Sequence, residues 1–395
     1  MSRHANPFRP GSGLQPPYLA GRDVELERFS QMLQQMQEGQ VRNLMVQGLR
    51  GVGKTVLLKE FVKICTDNKF LPVTRLQFSS KHSDPAEFTR ALQHDLDSAM
   101  GRLSRVEKTK QKLQDAARQM RPQKIDVMGV GWEFKHDPAS RIPLENQIID
   151  YLEKWWKVVQ EGGYDGIVLL FDEFHTVSDV KSNSWYILTD FIGAVNEIQS
   201  NGCRYSLVLC GLPTLMPNVK AARSYAERMF GVMNVSNLDK ENARAAISKP
   251  LENTAWCFSD DLVSSIVQDT DRYPYFIQFF CREIISRVGK EHVTLGDYET
   301  IKDQLIGDLG RDFFDQRIEP LSAVQRRVLY SAASLPDTDL EFSSIQKPLD
   351  MDKGSLFNHL RRLEEKGLVY KSTRGIYRLA MPLLGKYLRL RMQSE

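Results

Sequence analysis

The sequence predicts an α/β fold: a mostly parallel sheet flanked by helices, then an all-helical segment, then a small C-terminal module of three helices and a hairpin. Three observations predict it. The runs VRNLMVQ (41–47), IVLLF (167–171) and YSLVLC (205–210) are short, apolar and bounded by turn residues, the pattern of strands buried on both faces of a parallel sheet. Helical patterns separate these runs, which implies βαβ units. From Asp239 to about Gln316 the pattern is helical only, and 367–380 reads as strand, turn, strand.

Each element follows in order. Residues 1–17 are rich in Pro, Gly and Ser and read as an extended arm. In the next segment Leu26, Phe29, Met32, Leu33 and Met36 recur at helical spacing. The 41–47 strand stops at Gly48, and a helix runs from about Lys54 to Cys65. LPVTRLQFSS (71–80) is the second strand, and Pro85 opens a helix at its first turn. Residues 101–141 read as an insert, a polar helix followed by the hairpin-like IDVMGVGWEF. Leu144–Val159 and Trp185–Gln199 are helical, and VMNV (232–235) is the last strand.

Composition narrows the class. The chain has 395 residues, 42% hydrophobic and 26% charged, so collagen-like and disordered readings fall away. Five cysteines, odd in number and never in a C-x-x-C pair, read as buried apolar residues of a reducing compartment and exclude a zinc ribbon or disulfide framework. No stretch approaches the roughly 18 apolar residues of a membrane span, and the start has no apolar signal core. The expectation is a cytoplasmic protein with no membrane partner. The net charge of +3 hides an asymmetry: residues 321–395 carry 13 Lys and Arg against 8 Asp and Glu, and the remainder 40 against 42. A basic end on a near-neutral body is the footprint of a module that contacts a polyanion.

GLRGVGKT (48–55) matches G-x-x-x-x-G-K-[ST] between an apolar strand and an amphipathic helix. Gly48, Gly51 and Gly53 are expected to take positive φ and turn backbone N–H groups onto phosphate oxygens. Leu49, Arg50, Val52 and Val56 complete the cradle at the positive end of the helix. Lys54 would reach the β- and γ-phosphates of ATP, and Thr55 would ligate Mg2+. An acidic partner follows in IVLLFDEFH (167–175). Asp172 at the strand's carboxyl end would hold the metal, and Glu173 would act as general base on water. A strand lies between the two motifs in the chain, which leaves room for one strand to separate theirs in the sheet.

On LAGRDVELERF, GLRGVGKT, VLLFDEFH, LVLCGLPTL, SYAERMF and DRYPYFIQFF the chain resembles an AAA+ ATPase of the origin-recognition and STAND-like branch, over about residues 18–395. The resemblance implies a P-loop NTPase core at 18–238, a helical lid at 239–320 and a winged helix-turn-helix at 321–395. It implies that Gly21, Arg22 and Glu25 lie against adenine, and that an arginine finger reaches a neighbour's γ-phosphate from Arg228 or Arg223. Pro274 would pack on the nucleotide, with Arg272 a candidate second sensor. Where the fourth strand's usual Asn or Thr sensor is missing, Cys210 or Thr214 could substitute.

In the C-terminal module, Leu356, Leu360 and Leu363 form one stripe of the third helix, and Ser355, Asn358, Arg361 and Arg362 the opposite face. With Lys371, Arg374 and Arg378 on the hairpin, that face suits duplex DNA. Winged helices also dock proteins, so two functions stay open. One is an ATPase switch coupled to DNA or to homo-oligomer assembly; the other is an ATP-dependent signalling scaffold.

Overall fold

The computed structural model describes residues 5–11, 13–103, 125–126, 129–130, 134–135, 142–336, 339–373 and 375–394. The chain forms two compact units. One comprises Asp23–Gly48 and Lys54–Val235; the other comprises the residues up to Arg22, Leu49–Gly53, and the chain from Ser236 onward.

The first unit carries the sheet. Its strands are β1 (Asn43–Gln47), β2 (Phe70–Arg75), β3 (Gly166–Phe171), β4 (Tyr205–Gly211) and β5 (Phe230–Asn234). All pair in parallel, in the order β2-β3-β4-β1-β5. The strand bearing the acidic motif is thus separated from β1 by β4 alone. Every residue of β1, β3 and β4 is buried, as their unbroken apolar runs require. Helices α1 (Asp23–Gln37), α2 (Lys54–Asp67), α3 (Pro85–Leu103), α4 (Leu144–Glu161), α5 (Ile187–Ser200) and α6 (Leu215–Ala222) surround it. One sheet face, with Met45, Val73, Leu169 and Leu207, joins Phe88, Ile148, Trp155 and Phe191 of the helices in a continuous core. In α1, Phe29, Met32, Leu33 and Met36 of the expected stripe are buried and Leu26 is half-buried, and Phe29 stacks on Phe61 of α2 with centroids 3.9 Å apart.

Two expectations shift here. The second strand ends at Arg75, not Ser80, where its partner strand also ends at Phe171. Arg75 turns its guanidinium onto Asp95 of α3, with Nε 2.6 Å from Oδ2 and Nη2 2.9 Å from Oδ1. Most of the 101–141 insert lies outside the described residues; within it, Ile125–Asp126 pairs antiparallel with Gly129–Val130.

The second unit contains α7 (Lys240–Leu251), α8 (Asp260–Asp269) and α9 (Pro274–Val288), followed by shorter helices. Asp239 and Ser259 accept N–H bonds at the first turns of α7 and α8, as N-cap residues do. The helical pattern is interrupted by a two-residue parallel pair, Cys257–Phe258 with His292–Val293. That bridge leaves Cys257 exposed, unlike the other four cysteines, which are buried; all five are free. The chain then forms α10 (Ala323–Ala333), β6 (Leu340–Glu341), α11 (Phe342–Gln346), α12 (Lys353–Glu365), β7 (Val369–Thr373), β8 (Ile376–Leu379) and α13 (Leu384–Ser394). The three strands form an antiparallel sheet in the order β6-β8-β7. Among the described residues no helix is long and apolar enough to cross a membrane.

Candidate functional site

In the first unit, the site forms at the carboxyl ends of β1, β3 and β4. Gly48 continues β1: its N–H donates to the Gly211 carbonyl at 3.2 Å. Its own carbonyl accepts from Lys54 Nζ at 2.9 Å. Lys54 opens α2 and is only 5% exposed. Thr55 Oγ1 donates to Asp172 Oδ2 at 2.5 Å, and Asp172 is 1% exposed. The two motifs, far apart in the chain, therefore meet through a hydroxyl and a carboxylate.

The acidic loop is fixed by its own backbone. Asp172 N–H donates to the Arg75 carbonyl at 2.8 Å, and the Asp172 carbonyl accepts from Phe78 N–H at 3.1 Å. Asp172 Oδ1 accepts the Glu173 N–H at 2.8 Å, which stabilises a left-handed Glu173 at φ 55°, ψ 25°. Most L-residues avoid that region. Phe174, fully buried, anchors the turn against Phe78, Phe88, Phe171 and Phe191. Of the two sensor candidates, Cys210 lies beside the Asp172 carboxylate. Burial pushes its thiol well above the ordinary value, and the neighbouring Asp172 charge pushes it further. Thr214 precedes α6 and makes no side-chain cap there.

In the second unit, Leu49–Gly53 are held by two side chains. Arg22, 6% exposed, donates from Nη2 to the carbonyls of Val52 (2.9 Å) and Ser236 (2.8 Å). Tyr273, fully buried, donates its hydroxyl to the Arg50 carbonyl. Positive φ, expected at all three motif glycines, occurs at Gly51 (83°) and Gly53 (98°); Gly48 follows the strand instead. Pro274 is the first residue of α9, a position where its missing N–H costs nothing. Arg272 is exposed and pairs with its neighbour Asp271 at 3.1 Å. Tyr273, between the two residues expected to act here, is the residue of this segment that bonds the phosphate loop.

The two glycines make a controlled comparison. A Cβ on Gly51 would lie 2.8 Å from Tyr273 Cε1, whereas one on Gly53 would meet nothing within 4 Å. Gly53→Ala should cost about 1–2 kcal/mol of stability for the left-handed backbone alone. Gly51→Ala should cost about 1–3 kcal/mol more, from overpacking against the tyrosine ring. Denaturant unfolding of the two variants reads the difference; equal losses would mean that the loop can move away from Tyr273.

The arginine candidates separate clearly. Arg223 binds both Glu145 carboxylate oxygens at 2.8 Å and the Thr189 carbonyl at 3.1 Å. Nearby Asp190 is pushed up to about 6, chiefly by burial and then by Glu145 and Asp179. Arg228 is exposed on a short helix, Ala226–Met229, and the adjacent Glu227 is taken by Lys220 at 2.5 Å.

In α12, Leu356, Leu360 and Leu363 are fully buried, while Asn358, Arg361, Arg362 and, in β7, Lys371 are exposed. Ser355 gives its hydroxyl to the Asp352 cap at 2.6 Å. Arg378 pairs with Asp339 at 2.5 Å, and Arg374 lies outside the described residues.

Comparison with known proteins follows this geometry. Residues 18–197 match a family model described as AAA ATPase domain. The Walker-type ATPase of Pyrococcus abyssi superposes with a TM-score of 0.61 at 15% identity, covering 96% of this chain and 98% of that one. The ORC2 protein of Aeropyrum pernix, solved in ADPNP–ADP complexes, gives 0.55 at 14% identity, with 98% of each chain covered. An uncharacterized HTH-type transcriptional regulator of Methanocaldococcus jannaschii is 23% identical over 175 residues, 42% of either chain. The aligned stretch therefore spans less than half of that relative. Residues 18–197 thus match the AAA ATPase domain model, and the fold is an α/β one with a five-stranded parallel sheet flanked by helices, similar to that of these solved structures.

Proposed function

We propose that this chain is an ATP-binding and ATP-hydrolysing switch of the AAA+, STAND-like kind, which couples nucleotide state to DNA binding or assembly through a C-terminal winged helix. The observation that carries the ATPase part is the contact at 2.5 Å between the half-buried Thr55 and the buried Asp172, next to the buried Lys54. A hydroxyl and a carboxylate are hard oxygen donors and suit magnesium, whose remaining positions water and phosphate fill. Bound there, magnesium would neutralise charge on the β- and γ-phosphates. The backbone N–H groups of 48–55 would hold the phosphates, Lys54 would pair with them, and Glu173 would take the proton of the attacking water. Arg22 and Pro274 belong to the nucleotide-binding set, and Arg228 would act on a neighbouring protomer. The division of the chain is an arm to 17, a core at 18–238, a lid at 239–320 and a winged helix from 321. The free cysteines support a reducing, cytoplasmic setting.

The DNA half rests on α12 and the β7–β8 hairpin, where Asn358, Arg361, Arg362 and Lys371 are exposed over a buried leucine stripe. The archaeal relative's description as an HTH-type regulator supports the same reading. Ser355 contributes less, since its hydroxyl serves the helix cap. Alanine at Asn358, Arg361 and Arg362 together should leave folding and ATP turnover intact. It should flatten the salt dependence of duplex binding by about one unit per lost phosphate contact, or cost about 1–3 kcal/mol for a lost base-reading pair. Titration of labelled duplex over a salt series measures both. Unchanged DNA affinity would turn the module into a protein dock and favour the scaffold.

A further inference from the structure

The histidine of the DEFH segment has no role in the reading above, yet it lies beside the residue that would activate water. His175 Nε2 is 3.7 Å from Glu173 Oε2, and the His175 side chain is 8% exposed. Three constraints hold it there. Phe174, one residue before, is locked in the phenylalanine cluster with ring centroids 5.1 to 6.3 Å away. Asn218 of α6 donates Nδ2–H to the His175 carbonyl at 3.0 Å. The side chain also packs on bare backbone at the end of β4: a Cβ on Gly211 would sit 3.1 Å from both His175 Cβ and Nδ1. Glu173 is rooted as firmly, with its N–H on Asp172 Oδ1 and its φ in the left-handed region. A carboxylate at 29% exposure keeps rotational freedom about its own χ angles; a buried imidazole at its outer oxygen is the group that can limit it.

We propose that His175 is a positioning residue, whose Nε2 holds the Glu173 carboxylate in the orientation that receives the water proton. The inference rests on the assignment of Glu173 as general base. In the step it serves, the water oxygen bonds to the γ-phosphorus as the bond from that phosphorus to the β–γ bridging oxygen breaks. The proton passes to Glu173, and ADP and phosphate leave. His175 exchanges no atom with the substrate. It acts through the carboxylate, so its loss should lower turnover and spare nucleotide binding.

Five proteins test this: the unaltered chain, His175→Leu, His175→Gln, Glu173→Gln and the double variant of His175→Leu with Glu173→Gln, each measured for ATP affinity by calorimetry and for kcat and KM by phosphate release. A misplacement of about 1 Å at a reacting group can cost on the order of 100-fold, so His175→Leu should lose about 10- to 100-fold in kcat. Its ATP affinity should stay within about twofold of the unaltered chain. His175→Gln places an amide nitrogen near the Nε2 position and should recover most of the rate. Leucine added to Glu173→Gln should bring little further loss, because residues acting as a unit are not additive. A His175→Leu rate at or above that of the unaltered chain overturns the proposal. So does affinity that falls in step with kcat, or a glutamine variant no better than leucine. If Glu173→Gln itself keeps the full rate, the general-base assignment fails first and takes this inference with it. If Glu173→Gln loses the rate while His175→Leu keeps it, the base stands and only the positioning role is wrong.

Discussion

Lys54→Ala should bind ATP about 10- to 100-fold more weakly, the loss of one charge-assisted hydrogen bond of about 1.5–3 kcal/mol. Glu173→Gln should bind ATP normally and hydrolyse it about 10²–10⁴-fold more slowly, the range for removal of a general base. The contrast follows from where the two side chains sit. Lys54 is buried at the start of α2 with its ammonium on the Gly48 carbonyl, so its charge is already poised over the loop. Glu173 is partly exposed next to Asp172, whose carboxylate fixes its backbone. Glutamine keeps its shape and removes the proton acceptor. Calorimetry and phosphate release on the same samples separate the effects; equal loss of binding in both variants would overturn the division of roles.

Arg228→Ala should lower hydrolysis by about 10³–10⁵-fold if its guanidinium completes the site of a neighbouring protomer. Arg223 is a poor candidate for that task, because both Glu145 oxygens and the Thr189 carbonyl hold it inside its own unit. Arg228 has no such clamp: it is exposed, and Lys220 occupies the carboxylate next to it. Two measurements check the assignment. Hydrolysis per protomer should rise with protein concentration, and a mixture of Arg228→Ala with Glu173→Gln protein should regain activity in composite sites. A flat rate over a wide concentration range would leave Arg228 on the surface and the switch monomeric.

The parts of this molecule that the sequence made legible are those with a local signal. Three continuous apolar runs marked β1, β3 and β4. The motif spacing left room for one strand between β1 and β3, and the strand that fills it is β4, from beyond the acidic motif; β2, which lies between the motifs in the chain, takes the sheet edge. The phosphate-loop pattern and Asp172 were legible because short-range chemistry constrains them residue by residue. What stayed hidden depends on partners distant in the chain. Nothing near Tyr273 announces that its hydroxyl reaches the Arg50 carbonyl, 223 positions away. His175 meets Glu173 only because Phe174 is pinned and Gly211 lacks a side chain. Arg75 is the last residue of β2, and nothing near it in the chain announces that its guanidinium meets Asp95 on α3. Gly48 shows the converse: a glycine within the loop motif does not take the positive φ of Gly51 and Gly53, and its N–H still pairs with the Gly211 carbonyl at the end of β4.

The place of β1 in the sheet also sets the order in which the protein is made. Its two neighbours are β4 and β5, at 205–211 and 230–234, so nothing synthesised near it in time can pair with it. At translation speeds of about 5–20 residues per second, Asn43–Gln47 waits roughly ten to forty seconds for β5. Throughout that interval an apolar segment is on the ribosome with both edges open, a hazard for mispairing. A nascent chain that stops short of Asn234 has the whole phosphate-loop sequence but lacks one wall of the sheet that shapes it. Nucleotide can therefore stabilise this unit only after most of it has emerged, as a reward for completed folding and not as a nucleus for it.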